Sequence, residues 1–431
     1  MGTTATDRAR QFATQFADRA FADAVELLAD RAAVSGPFPD GFQPESATAE
    51  ELLKQYWWGL HGQYGAFDGI GAVTQNEPAT VTVQFTFENG TETARIGLGD
   101  GDISEFSFMP AYEPPEYADE GVFTERSVSI DAGELTLDGR LTLPDDTGTA
   151  PGVLLVHGAG IHDPDGTNGN SKILKDIAWV LATEGIASLR YEKRLAVESV
   201  PDKEFTLDSV VTDDAVTALS RLAAAGGVDE DALFVAGHSQ GGACAPRIAD
   251  RYGAVAGVVT FDGSTDPGAI APEHADIIRY EFVIDGKLDE EQAAQIEQDR
   301  ETLARIDAGA FEDDETIMGR PGVWHRSLQA NNPVETVSAL DIPLFSLQTN
   351  GADEQTQPEL AAFFEDSYEA WQDADLPAGS RVERYQDVDH FFQSVTPPTG
   401  PLSLYFGGTV IESALTDLSE WIHEIASQTG S

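Results

Sequence analysis

The pattern of apolar and polar positions changes character along this chain of 431 residues. Residues 5–30 carry Phe12, Phe16, Phe21, Val25 and Leu28 at helical spacing, which predicts an amphipathic helix. A second helix is predicted over 47–64 and contains Trp57 and Trp58. From Thr80 the stretch TVTVQFTFENGTETARIGLGDG alternates with period two, and its Asn89-Gly90 pair signals a hairpin. Two helices followed by a meander predict a small α+β unit over 1–112. The Pro-rich acidic run AYEPPEYADE predicts a linker, placed at 113–121.

Beyond 122 the chain reads differently. RSVSIDAGELTLDGRLTLP predicts an antiparallel hairpin. Apolar strands at 151–158, 185–194, 231–239, 254–263, 342–351 and 380–390 then alternate with helices near 171–184, 206–225, 241–252, 357–375 and 408–427. Alternation of this kind predicts an α/β domain over 122–431, with a mostly parallel sheet covered on both faces. The polar, helix-like segment 266–338 interrupts the alternation and is expected to form a cap over an active site.

Charge changes the picture of possible partners. There are 25 Lys+Arg against 75 Asp+Glu, a formal net charge of -50. Such a surface repels nucleic acid and anionic membranes. Lysine occurs only at 54, 172, 175, 193, 203 and 287, and the acids are spread along the whole chain. Concentrated salt, with a Debye length of about 3 Å near 1 M, would screen this self-repulsion, so the composition is of halophilic type. The single cysteine, Cys244, rules out an intrachain disulfide. No apolar run approaches the ~18 residues of a membrane span. The start, MGTTATDRAR, lacks an apolar signal core, and its match to a myristoylation pattern reads as chance. The expectation is a soluble, cytoplasmic protein.

Residues 234–245, FVAGHSQGGACA, hold the strongest chemical signal. Gly237-His238-Ser239-Gln240-Gly241 is a G-x-S-x-G pattern between an apolar strand and a helix. Such a turn projects Ser239 at the carboxyl end of the sheet, and glycines flank it because side chains there would collide with strand or helix. A serine hydroxyl needs a base. Of the eight histidines, His274, His325, His390 and His423 follow Ser239. His390 closes the strand RVERYQDVDH and is the expected base, whereas His423 falls in the last helix and the other two in the inserted segment. The acid that orients it is expected to be Asp353, in the turn after IPLFSLQTNG, with Asp262 as the competing choice. Glu354 neighbours Asp353. Asp389 fits poorly, because sequence neighbours point apart. An oxyanion needs two preorganised N–H donors, and those of Gln240 and Ala159 are expected to supply them. His157 and His238 read as structural and Cys244 as a small buried residue. No Cys/His set suggests zinc, and no metal or organic cofactor is implied.

These segments carry a resemblance. VLLVHGAGIHDPDGTNGNSKILKDIAWVLATEGIASLRYEKR, FVAGHSQGGACAPRIA, LQTNGADEQT and DVDHFF resemble the α/β-hydrolase esterases related to dienelactone hydrolases and acyl-peptide-type peptidases. The likeness covers about 122–427, discontinuously. It implies an α/β-hydrolase fold, hydrolysis of short acyl esters through an acyl-enzyme, and catalytic roles for Ser239, Asp353 and His390. Pro164 departs from the basic residue usual in the DPDG loop, which touches the charge pairing there; Lys193 and Arg194 are expected to pair with Asp163 or Asp165. The front unit resembles the nuclear-transport-factor-2-like domains found before some such hydrolases. It is expected to pack or to mediate a homodimer, with Trp57, Trp58, His61 and Tyr64 as core or interface residues and the lining of a pocket as the alternative for them. Trp324 and Phe391, with His325 and Phe392, are expected to line the substrate site and set acyl selectivity. Two alternatives remain open: an aminopeptidase or acyl-peptide hydrolase using the same triad and acidic cap residues, and a non-catalytic binding protein with a hydrolase fold.

Overall fold

Helix α1 (Ala5–Ala17) starts at a capping box in which the Thr4 side chain accepts from the Asp7 N–H and the Asp7 carboxylate accepts from the Thr4 N–H. It stops at Asp18, and Arg19 takes a positive φ of 59°. The single helix expected over 5–30 is therefore three elements: α1, α2 (Phe21–Val25) and strand β1 (Leu28–Val34). Phe21, Val25 and Leu28 still pack on the same core as Phe12 and Phe16, so the spacing reported shared burial rather than one continuous helix. The computed structural model describes residues 4–34, 48–108, 111–145, 148–266, 268, 272, 275, 288–400 and 403–429. The myristoylation match at residues 1–6 lies partly outside these residues, and His274 and much of 266–287 lie outside them.

Helix α3 (Ala49–Tyr64) is capped by Thr48 and Glu51 in the same reciprocal way. Strands β2 (Phe67–Glu77), β3 (Thr80–Phe87), β4 (Gly90–Gly99) and β5 (Asp102–Phe108) complete a sheet of order β1-β5-β4-β3-β2. β3 and β4 form the expected hairpin, with Phe87 opposite Gly90. β2 escaped the sequence reading because this edge strand has no residue fully buried and so shows no clean alternation. Beneath the sheet, Phe12, Phe16, Tyr56, Phe85, Phe106 and Phe108 interlock, for example with Phe12 and Phe106 edge-to-face at 4.9 Å. Burying each such ring contributes roughly 1.5–3 kcal/mol. Trp57 and Trp58 are buried there as expected. Tyr405 and Phe406, from far along the chain, belong to the same core.

The stretch after β5 lies against the rest of the protein rather than free of it. The Tyr112 hydroxyl donates to Asp176 at 2.7 Å, and the Asp119 N–H donates to Thr183 at 3.0 Å. Hairpin β6 (Phe123–Ala132) and β7 (Leu135–Pro144) then opens an eight-stranded sheet. β8 (Ala150–Val156) leads through the two-residue strands β9 (Thr167–Asn168) and β10 (Ser171–Lys172) into α4 (Ile173–Thr183) and β11 (Ala187–Tyr191). The short α5 (Arg194–Val197), a widened turn at Asp208–Thr212 and α6 (Asp213–Ala223) precede β12 (Val228–His238), α7 (Gln240–Tyr252) and β13 (Gly257–Phe261). Next come α8 (Glu290–Asp307), the ribbon β14 (Thr316–Ile317) and β15 (Arg320–Pro321), α9 (Gly322–Gln329) and α10 (Pro333–Leu340). β16 (Leu344–Asn350), α11 (Pro358–Gln372), β17 (Arg381–Gln386) and α12 (Glu412–Thr429) close the chain.

The large sheet runs β17-β16-β13-β12-β8-β11-β7-β6. The pairs from β11 to β17 are parallel, and β7 runs antiparallel to both its neighbours. Strands β8 and β13 are buried nearly throughout, as continuous apolar runs such as Val153–Val156 and Val258–Val259 require when helices cover both faces. α12 lays Ala414, Leu415, Leu418, Trp421, Ile422 and Ile425 on one face, the stripe expected from its spacing. The parallel arrangement brings the carboxyl ends of β8, β12, β13, β16 and β17 to one edge, where ligands bind in open α/β sheets.

Candidate active site

The turn from β12 to α7 explains its own sequence. Ser239 has φ 54° and ψ -119°, a strained conformation for a residue with a Cβ. A Cβ at Gly237 would lie 2.1 Å from the Gly241 backbone, and one at Gly241 would lie 2.5 Å from the His157 carbonyl oxygen. Only glycine fits at either place. The Ser239 side chain makes no capping bond to the helix, so its hydroxyl is not tied up at the helix end. Gln240 begins α7, where the first N–H groups have no partner within the helix.

His390 reaches the same place from beyond β17. Its Nδ1 lies 3.0 Å from Oδ2 of Asp262, the residue after β13. That carboxylate is buried, with 6% side-chain exposure, whereas His390 is 41% exposed and open to the cavity. Asp262 also accepts from the Thr349 N–H at 2.7 Å and the Thr349 hydroxyl at 2.5 Å. Its φ of 50° turns the chain so that the side chain lies across the end of β16.

Asp353, expected to orient His390, is engaged elsewhere. Its Oδ1 accepts from the Gln355 N–H, the Thr356 N–H and the Thr356 hydroxyl at 2.7–3.1 Å. The Thr356 hydroxyl, aided by these N–H groups, holds the carboxyl below its ordinary range. The carboxylate at His390 is thus Asp262, the competing choice, because Asp353 caps its own turn. Asp389 also serves a turn: it accepts from Phe391 and Gln393 N–H groups, and burial pushes its carboxyl up to about 7. His238 Nε2 lies 2.7 Å from the His390 carbonyl oxygen. Burial drives its imidazole well below the ordinary range, so the ring is neutral and donates there, a supporting role as expected. Burial raises the Cys244 thiol to about 12, which removes it as a nucleophile at neutral pH.

Lys193 is the main residue that the sequence reading misplaced. Asp165 is taken by Arg190 and Lys172, Asp163 accepts from Thr167, and Arg194 pairs with Asp214 and Glu198. Lys193 instead donates from Nζ to the Gly158 carbonyl at 2.5 Å and lies 3.3 Å from Oε1 of Gln240. In a trans peptide, C=O and N–H point in opposite directions. Lys193 therefore turns the Ala159 N–H away from itself, and Ala159 lines the cavity. His162 Nε2 holds the next carbonyl, that of Ala159, at 2.7 Å. The available sequence signal was the apolar strand ending in RYEKR, which delivers Lys193 to the same sheet edge.

Burial depresses the Lys193 ammonium from its ordinary 10.5 to about 7. Between those values the unfolded chain binds more protons than the folded one, so this group's contribution to stability rises as pH increases from about 7 towards 10.5. Lys193→Met should flatten that rise, seen as a smaller gain in Tm between pH 7 and 10 than in the parent. An identical pH slope in the two proteins would refute the assignment.

A cavity of about 730 Å³ joins these groups. Ser239, Asp262, His390, Ala159 and Gln240 line it, as do Trp324 and Phe391. His325 lines it too, with its Nε2 3.0 Å from the Ile317 carbonyl oxygen, whereas Phe392 is fully buried instead. The segment between β13 and β16 contributes Leu303, Ile306, Met318 and Leu328, and the chain after β16 contributes Leu360, Phe363, Phe364 and Leu404. Among the described residues no group of three or more His, Cys, Asp or Glu could hold a metal ion, and no helix is long and apolar enough to cross a membrane.

Topology, elbow and paired His390–Asp262 give the chain an α/β-hydrolase fold. No family model matches it. The chain is 28% identical over 393 residues to Esterase EstD of Thermotoga maritima, spanning 88% of this chain and 89% of that protein. Among solved structures, an esterase of the archaeon Pyrobaculum calidifontis is 17% identical, with a TM-score of 0.42 over 73% of this chain and 89% of that one. The carboxylesterase EstE1, cloned from a metagenomic library, is 16% identical, with a TM-score of 0.44 over 72% of this chain and 91% of that one.

Proposed function

We propose that this protein is a serine esterase that cleaves esters of short acyl chains through an acyl-enzyme. The chain is a carboxylesterase-like hydrolase. The observation that carries the mechanism is the pair of buried Asp262 with His390 in the same cavity as a strained, half-buried serine. Ser239 Oγ attacks the ester carbonyl while His390 Nε2 takes its proton. Asp262 accepts from Nδ1–H, which fixes the tautomer and stabilises the imidazolium. The N–H groups of Gln240 and Ala159 receive the oxyanion. His390 returns the proton to the leaving alcohol, and a water then repeats the sequence on the acyl-enzyme.

The lining favours esters over peptides bearing a free amine. Its only carboxylates among the described residues are Asp262 and Asp389, and both already accept hydrogen bonds. Hydrolysis of p-nitrophenyl esters, with amino-acid p-nitroanilides untouched and Ser239 labelled by a fluorophosphonate, is the expected result. Failure to label Ser239 would favour a binding protein instead.

The formal charge of -50 supports the reading of a protein that works in concentrated salt, such as the cytoplasm of a salt-accumulating cell. Tm should rise between 0.1 and 3 M KCl. A flat or falling Tm would count against the halophilic reading and leave the esterase reading intact.

A further inference from the structure

The loop that follows His390 belongs to two cores at once. Thr399, Gly400, Ser403 and Leu404 line the cavity, and the next two residues, Tyr405 and Phe406, are buried in the aromatic core of the front sheet. Phe406 is 1% exposed and meets Phe108 edge-to-face at 5.3 Å and Tyr56 at 6.0 Å. The end of α3 holds the same loop. The Gly62 carbonyl accepts from the Thr396 N–H at 2.7 Å, and the Tyr64 hydroxyl donates to the Phe406 carbonyl at 2.9 Å. Even a Cβ at Gly62 would come within 3.0 Å of the Ser403 Cβ.

The other end of the wall is fixed differently. Gln357 Nε2 donates to the Thr399 carbonyl at 2.8 Å and its Oε1 accepts from the Thr399 N–H at 3.2 Å, while the Thr399 hydroxyl donates to the Gly351 carbonyl at 3.1 Å. The hydrolase sheet thus pins Thr399, and the front sheet pins Phe406. Between the two anchors, Ser403 and Leu404 face the cavity.

We propose that the front helix-and-sheet unit is a specificity element of the ester site: by gripping Phe406 it sets where Leu404 stands, and so how long an apolar chain the cavity accepts. This rests on the esterase reading. Packed interiors do not deform continuously, so emptying the Phe406 socket lets the wall move as a piece. Phe406 and Tyr64 are positioning residues, since neither lines the cavity.

The experiment measures kcat/KM for p-nitrophenyl esters from C2 to C10 and for an alkyl acetate series, in the full-length parent, Phe406→Ala, Phe406→Leu and Tyr64→Phe. Phe406→Ala should move the preferred chain length by two carbons or more in one series, with fivefold or greater change in the C8/C2 ratio and acetate turnover within about threefold of the parent. Phe406→Leu should largely restore the parent profile, and Tyr64→Phe, which leaves the core filled, should shift it in the same direction by a smaller factor. Fluorophosphonate labelling at the parental rate shows that the triad is intact in each variant. An unchanged length profile in both series, or equal loss at every length, overturns the proposal. If Phe406→Ala does not fold, the Tyr64→Phe profile decides alone. A parent that neither labels nor hydrolyses any ester overturns the esterase reading, and this proposal with it.

Discussion

Ser239→Ala should lower kcat/KM for a p-nitrophenyl ester by about 10⁶-fold, the scale of loss when the nucleophile of such a unit is removed. In the proposed mechanism the hydroxyl supplies the attacking oxygen, and Cys244 cannot replace it, because it is buried with its thiol raised to about 12. Structure should survive. Ser239 makes no side-chain cap to α7, and alanine meets the same backbone strain at φ 54° as serine does. Tm should therefore move little, on the scale of a surface substitution, ±0.5 kcal/mol or so. Fluorophosphonate labelling should vanish. Turnover above about a hundredth of the parent, with Tm unchanged, would remove Ser239 from the mechanism.

Asp262→Asn should cost about 10³–10⁴-fold in kcat/KM, and Asp353→Asn less than about twofold. An asparagine at 262 can offer an amide N–H towards His390 Nδ1, which selects the tautomer with its proton on Nε2, the atom that must receive the serine's proton. It also lacks the charge that stabilises the imidazolium. At 353 an asparagine oxygen can still accept from the Gln355 and Thr356 N–H groups, as turn-forming asparagines do. The two variants are compared on one substrate with Tm as the control. Equal losses, or a larger loss at Asp353, would reverse the assignment.

The elbow was legible because its constraint is local. Gly237 and Gly241 are separated by four positions, and both must lack a Cβ for the strand to turn into the helix. His390 was legible from order along the chain and from its place after a strand. The acid was not, because two turns at the same sheet edge each offered a carboxylate. What separated them was Thr349 on β16, which folds two donors onto Asp262, and Thr356, which occupies Asp353. The break in the first helix at Arg19 and the exposed strand β2 were missed for a related reason. Periodicity reports which residues become buried, and it says less about the backbone between them.

The sequence alone determined the alternation that makes a parallel sheet, the glycines that force out Ser239, the order of Ser239 before His390, and the charge of -50. These depend on neighbours within a few residues or on composition, so no folded coordinates are needed to see them. Tertiary structure decided which of the 75 acids meets His390, that a buried Lys193 holds the loop before Ala159, and that Phe406, in the loop after His390, fills the core of the front sheet. Each is a contact between segments far apart in the chain, and among so many carboxylates and aromatics only the closed, densely packed fold selects the partner.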